Sequence, residues 1–286
     1  MYANYFIIDN EFLSFVPERH REKVADYAYL IYKKCLRKGS RQLSKEDYFK
    51  STRTRYPILF FYCPKCQASW ISPSHGFKMA QEMKYCPHCG EPSIDHRFNE
   101  GITKISNLLQ LSASLRKTDT LRSKELNQCI ITSLCSIYEV YLREFYSDIL
   151  NTKYVRWGRS LYHKFLKDCK NDFINPGKTN DRLKKEISVD YKGTVGADAY
   201  KALCLLSDYR NVIVHNNGIC DATFLSQHPD WEPHSQIMPP IESIIMFIQV
   251  VHNSVQKMND VYEKEIRGVA GSVAVEYVAK AMEERQ

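Results

Sequence analysis

The chain lacks any apolar run near the ~18 residues needed to cross a bilayer. Its strongest runs, PILFFYC (57–63) and IIMFIQVV (244–251), fall well short. The opening MYANYFIIDNEF has acids where a signal peptide has a basic region. The expectation from both is a soluble, cytoplasmic protein with no membrane partner. P-loop, Rossmann glycine motif and nucleophile elbow are all missing, which argues against a nucleotide hydrolase or dehydrogenase. There is no internal repeat and no low-complexity tract. The C-terminal half offers no cluster of carboxylates of the kind that holds magnesium.

What is present is ordinary globular material. The chain has 286 residues, 44% hydrophobic and 12% aromatic, enough to bury a core in one large domain or two to three small ones. Net charge is +7, and it is uneven. From Lys33 to Arg55 nine Lys/Arg stand against Glu46 and Asp47 alone. Such a segment can attract phosphates; a solvated helix end and loop is the commoner meaning of such a composition.

Ten cysteines are present, and their placement argues against a disulfide framework. Four form two tight pairs, FYCPKCQASW and KYCPHCGEP. Six others (Cys35, Cys129, Cys135, Cys169, Cys204 and Cys220) are scattered, mostly in helical apolar patterns. The pairs read C-x2-C, nineteen residues, C-x2-C. Two residues between cysteines let a tight turn aim both thiolates at one point, and two such turns supply the tetrahedron of sulfur that zinc accepts. Cys63, Cys66, Cys86 and Cys89 are therefore the expected ligands of one structural Zn2+ per chain. Pro64 and Pro87 stiffen the turns, and Gly90 permits a positive φ after the second. A shell of four thiolates is closed, so His75, His88 and His96 are not needed. The segment resembles the zinc-ribbon family over about forty residues, which leaves DNA, RNA or protein open as its partner.

Three regions are expected: 1–56 with the basic arm, 57–98 as the zinc ribbon, and 102–286 as a helical domain. The first opens with a short strand in NYFIIDNEF and continues with a helix near 20–38, carrying Val24, Tyr27, Leu30 and Ile31 on one face. In the helical domain, Leu126, Ile130, Leu134, Ile137, Tyr141, Phe145 and Ile149 form one stripe of a helix over 118–150. Further helices are expected over 158–173, stopped by Asn175-Pro176-Gly177; over 181–191; from Gly196 through the end of IVHN; from Pro239-Pro240 to about 266; and over 269–284. Residues 217–238 read as loop. The fold class is mainly α, with short strands at the cysteine pairs.

The stretch DYRNVIVHNNGICD (208–221) is the chemical puzzle. An Arg-x4-His spacing is weak by itself: with 16 Arg and nine His, chance supplies roughly half a pair. The context adds more. Asn211 and His215 share a helix face, four residues apart. Arg210 lies about 140° round, at 100° per residue, and its long side chain can swing to that side. Asn216-Asn217-Gly218 ends the helix, which leaves His215 in the last turn near the negative helix end, a setting that favours proton exchange. RNA hydrolysis needs a base, an acid and cations on the charged phosphorane. His215 can move protons, Arg210 can hold phosphate with a planar fork of donors, and Asn211 can orient either. Two such sets, joined by a two-fold dimer, would suffice.

On these residues the chain resembles the HEPN domains, helical modules of toxins, CRISPR effectors and abortive-infection proteins. Their R-x4–6-H motif stands here as RNVIVH. The tail NNGICDATF resembles that of the ApeA-like and RiboL-PSP-like branches, and CIITSLCSIYEVYLREFYSDIL resembles their first long helix, with Glu139 as its central acid. The resemblance spans roughly 102–286. It implies a four- or five-helix core, a homodimer across the motif helices, metal-independent RNA cleavage leaving a 2′,3′-cyclic phosphate, a role in defence or toxicity, and an antitoxin or other regulatory partner. The substrate would be RNA, with transfer RNA among the candidates. Glu139 either orients Arg210 across the helix pair or is a plain surface acid. Residues 1–56 match nothing in the family. Two other function classes remain: a non-catalytic binder whose helical domain serves dimerisation or regulation, and a zinc-ribbon DNA-binding regulator. His163, His228 and His252 lack comparable context and read as ordinary.

Overall fold

The computed structural model describes residues 5–36, 40–50, 57–73, 84–154 and 167–284. The fold is mainly helical with one small sheet. In chain order the elements are β1 (Tyr5–Ile7), α1 (Asn10–Phe15), α2 (Glu18–Cys35), α3 (Lys45–Lys50), β2 (Ile58–Tyr62), β3 (Ser69–Pro73), α4 (Ile94–Leu115), α5 (Thr120–Tyr154), α6 (Pro176–Arg182), α7 (Tyr191–Val195), α8 (Ala197–Asn216), α9 (Ala222–Gln227) and α10 (Ile241–Glu283). No helix is long and apolar enough to cross a membrane.

The chain divides into two compact units. One comprises Met1–Asp95, Asn151–Trp157 and Val261–Gln286; the other comprises His96–Leu150 and Gly158–Asp260. The division falls inside α4, α5 and α10, so each of these helices contributes residues to both.

The first unit is built on the antiparallel sheet β1-β2-β3. Its middle strand, ILFFY, is buried at every position, which is why it reads as an unbroken apolar run rather than an alternating one. Phe6, Phe12, Val24, Tyr27 and Ala28 pack in the same core. Asp9 caps α1 by accepting from the Phe12 amide at 2.8 Å, and so ends the strand expected to continue to Phe12. Part of the basic stretch is neutralised within the unit. Lys45 meets Asp26 and Lys50 meets Glu46, each at 2.5 Å. Arg37, Lys38, Arg53 and Arg55 lie outside the described residues.

In the second unit α5 buries Ile130, Ile131, Leu134, Tyr138, Tyr141, Leu142, Phe145, Tyr146 and Ile149. That face is wider than the single expected stripe, as suits a helix covered on two sides. Tyr141 donates to the Asn259 side chain at 2.7 Å.

α4 begins at Ile94, within the segment 57–98. Three expectations about helix ends are corrected. Asn175-Pro176-Gly177 starts a helix instead of only ending one. Asn175 caps it by accepting from the Lys178 amide at 3.0 Å, and Pro176 occupies the first turn, where its missing N–H costs nothing. Asp221, with its oxygen on the Phe224 amide at 2.8 Å, starts α9 inside the expected 217–238 loop. The two helices expected after Pro240 are one, α10, about 64 Å long at 1.5 Å per residue. Its buried stripe runs from Ile244 through Met258, Tyr262, Ile266, Ala270 and Ala274 to Val278 without a phase break. That continuity outweighs the ~1 kcal/mol each of Gly268 and Gly271. Gly271 has its own reason: a Cβ there would stand 2.4 Å from the Phe15 carbonyl oxygen. The helix expected over 158–173 lies largely outside the described residues.

Candidate functional site

Two places bring chemistry-bearing side chains together. The first is the pair of cysteine turns, in the first unit. Residues 63–68 form the turn of the β2–β3 hairpin, closed by the Tyr62–Ser69 pairing. Residues 86–91 form a matching turn closed by a bridge between Tyr85 and Pro92. The two are built alike. Cys63 N–H donates to the Ala68 carbonyl at 2.9 Å, and Cys86 N–H to the Glu91 carbonyl at 2.7 Å. Gln67 N–H returns to the Cys63 carbonyl at 2.7 Å, and Gly90 N–H to the Cys86 carbonyl at 2.8 Å. Each turn needs a left-handed residue after its second cysteine. Gly90 meets this at φ 74° as the sequence suggested, whereas Gln67 does so at φ 64° with a side chain.

The four Sγ atoms lie within 4.8 Å of one another, so Cys63, Cys66, Cys86 and Cys89 could hold a metal ion. Cys63 and Cys89 are 4.0 Å apart and Cys66 and Cys86 3.8 Å apart, sulfur to sulfur. A tetrahedron with metal–sulfur bonds of about 2.3 Å has edges of about 3.8 Å. All four are free thiols. Two edges of the cluster match that tetrahedron, so the donor set fits a metal ion held by four thiolates. Phe61 and Trp70, stacked at 3.8 Å, and Tyr5 pack against it. No histidine joins the cluster among the described residues.

One contributor was invisible in the sequence. Asn151, near the end of α5, donates from Nδ2 to the Pro64 carbonyl and to the Lys65 carbonyl, the latter at 3.2 Å. Gln67 donates back to its Oδ1 at 3.5 Å. The first turn is thus held from outside by a residue more than eighty positions away, and no local pattern announces such a partner.

The second place is the end of α8, in the second unit. Gly196 precedes the helix, and Asn217, at φ 52°, ends it. Gly218 (φ 80°) donates to the Val212 carbonyl at 3.0 Å. The following chain is pinned by a short ladder: Ile237 N–H donates to the Gly218 carbonyl at 2.7 Å, and Cys220 N–H to the Ser235 carbonyl at 2.9 Å. Gln128 of α5 donates to the Ile237 carbonyl at 2.8 Å. Asp221 takes the Phe224 amide first and the Asn216 side chain second, and both hold its carboxyl below the usual range.

His215 sits exposed in the last turn of α8. Arg210 and Asn211 are half-buried one turn earlier, and Arg210 donates to Asn211 Oδ1 at 3.2 Å. Glu139 receives Arg143 at 2.7 Å, and no hydrogen bond joins it to Arg210 among the described residues. The two nevertheless share a neighbour in Cys135. Burial pushes the Cys135 thiol up to about 12; Arg210 opposes this and Glu139 adds to it. Cys135 thus remains a protonated thiol near neutrality and is no nucleophile.

Arg210 stands apart from the other half-buried arginines among the described residues. Arg97 pairs with Glu144, Arg143 with Glu139, Arg182 with Asp172 and Glu186, and Arg267 with Glu11 and Glu263. Arg210 has an amide oxygen only.

Comparison with protein-family models, with curated proteins and with solved structures finds no match to this chain.

Proposed function

We propose that the chain is a metal-independent endoribonuclease of the HEPN type, acting in defence or as a toxin, with RNA as substrate. The supporting observation is the half-buried guanidinium of Arg210, which has no carboxylate partner among the described residues, on the same helix as the exposed His215. A guanidinium is charged at every relevant pH, and a half-buried one without a carboxylate is a ready anion site. In this reading Arg210 holds the scissile phosphate and stabilises the phosphorane, His215 transfers a proton, and Asn211 aligns the guanidinium. Glu139 acts on Arg210 only through the shared neighbourhood of Cys135. The resemblance of RNVIVH and of the α5 sequence to HEPN domains supports the same reading. A two-fold homodimer would bring a second Arg210 to the phosphate and gather the charge that one set lacks.

The thiolate centre is assigned to zinc, which takes four sulfur ligands in a closed tetrahedron. Its role is to hold the two turns together, and the ion stays outside the chemistry because no position is open to substrate.

The test is incubation of the purified chain with total RNA in EDTA, beside His215→Ala and Arg210→Ala. Cleavage in EDTA, slowed ~10²–10⁴-fold in either variant, is expected. Cleavage that disappears in EDTA and returns with magnesium, or that survives in His215→Ala, would overturn the proposal.

A further inference from the structure

A second histidine lies against α8. His228 follows α9 and places Nε2 3.1 Å from Asp208 Oδ2. Asp208 is on α8, seven residues before His215. At 100° and 1.5 Å per residue the two lie within about 20° of one another around the axis and about 10 Å apart along it. The chain reaches this position by turning back. Asp221 caps α9 and holds Asn216 at the end of α8, and α9 then runs to His228, level with Asp208. The ring of His228 packs on Phe224, centroids 4.5 Å apart, and Phe224 is buried with Val212, Cys220 and Ile237. The side chain keeps 22% exposure, and no described residue hydrogen-bonds its Nδ1. Side chains on a helix lean toward its N-terminus, so His215 leans toward the Asp208 level.

We infer that His228, aligned by Asp208, is the general acid of the reaction, with His215 as its base. The inference rests on the ribonuclease reading above. A carboxylate against one ring nitrogen orients the ring and leaves the other nitrogen to exchange protons. His215 has no described partner on its ring, which leaves a lone pair free to accept. The step balances within one chain. His215 takes the 2′-OH proton as the O2′–P bond forms, and His228 gives its Nδ1 proton to O5′ as the P–O5′ bond breaks. The products are a 2′,3′-cyclic phosphate and a 5′-hydroxyl, and exchange with water resets both rings. The dimer then contributes charge, through the second Arg210, and no proton.

The experiment uses the full chain. A cleavage site is first mapped in total RNA, and the oligonucleotide around it is made with oxygen or with sulfur at the 5′-bridging position. A thiolate leaves without a proton because its conjugate acid has a pKa of about 8.5, as for a simple thiol. His228→Gln is expected to slow the oxygen substrate ~10²–10⁴-fold and to cut the sulfur substrate within about tenfold of wild type. Asp208→Asn should slow the oxygen substrate less and be rescued in the same way. His215→Gln should be slow on both. Circular dichroism melting checks that the variants are folded, and sulfur rescue is itself proof of an intact site. Equal slowing of both substrates by His228→Gln, or no slowing, would overturn the assignment while leaving the ribonuclease reading in place. A wild type that cuts no RNA would remove both.

Discussion

The cysteine turns and the end of α8 are both short motifs in loops, yet they are held in different ways. Each cysteine turn closes on itself through two backbone hydrogen bonds, and the four sulfurs converge within the chain. The end of α8 is held mostly from elsewhere, by Gln128 and by the chain segment around Ile237, and Arg210 has no carboxylate partner among the described residues. The first could hold a metal ion as it stands; the second, in the reading proposed above, awaits a phosphate. A motif which closes locally can be read from spacing, whereas one held by remote segments can be read only with its surroundings.

The comparison breaks most sharply at a ligand. Cys63→Ser should abolish stoichiometric metal, and with it a binding energy on the order of 10 kcal/mol that folds the two turns. Metal analysis and circular dichroism would show loss of the ion with most helix signal retained. Retention of one equivalent of metal would mean that the four sulfurs are not its ligands. His215→Ala should leave the metal content at one per chain.

A smaller effect tests the outside support of the first turn. Asn151→Ala should weaken metal affinity about 10–100-fold, as loss of an outer hydrogen bond typically does, measured by chelator competition. An unchanged affinity would mean that the turn holds its shape without α5.

Glycines give the finest contrast. At Gly218 a Cβ would meet both a left-handed φ of 80° and Gln128 Nε2 at 2.7 Å. At Gly90 it would meet only φ 74°, with nothing within 4 Å. Gly90→Ala should therefore cost about 1–2 kcal/mol of stability, and Gly218→Ala more than that, with reduced activity because the turn after His215 shifts. Thermal melts of the two variants side by side rank them, and a reversed order would show that Gln128 yields without cost.

Much of this was legible beforehand where periodicity or spacing is local. The β2 run, the stripe of α5, the start of α8 at Gly196 and its stop at Asn217 follow from apolar pattern and cap chemistry. The cysteine spacing pointed to the convergence of four sulfurs, and Gly90 to its positive φ. Gln67 was missed because a left-handed glutamine carries no composition signal. Asn151 was missed because its partners are remote. The unbroken α10 was missed because two glycines look like a stop until the buried stripe is followed through them. His228 read as ordinary for a related reason: its meaning depends on Asp208, and only the return of α9 along α8 brings them together.

The most direct measurement concerns the nucleophile. The RNA segment mapped as a cleavage site is synthesised with one 2′-deoxynucleotide immediately 5′ of the scissile phosphate and incubated with the purified chain in EDTA. If the RNA's own 2′-hydroxyl attacks under the care of His215 and Arg210, cutting stops at that bond, while the all-ribose control yields a 2′,3′-cyclic phosphate. Undiminished cutting at the deoxy position would contradict the account, because water or an enzyme group would then be the nucleophile.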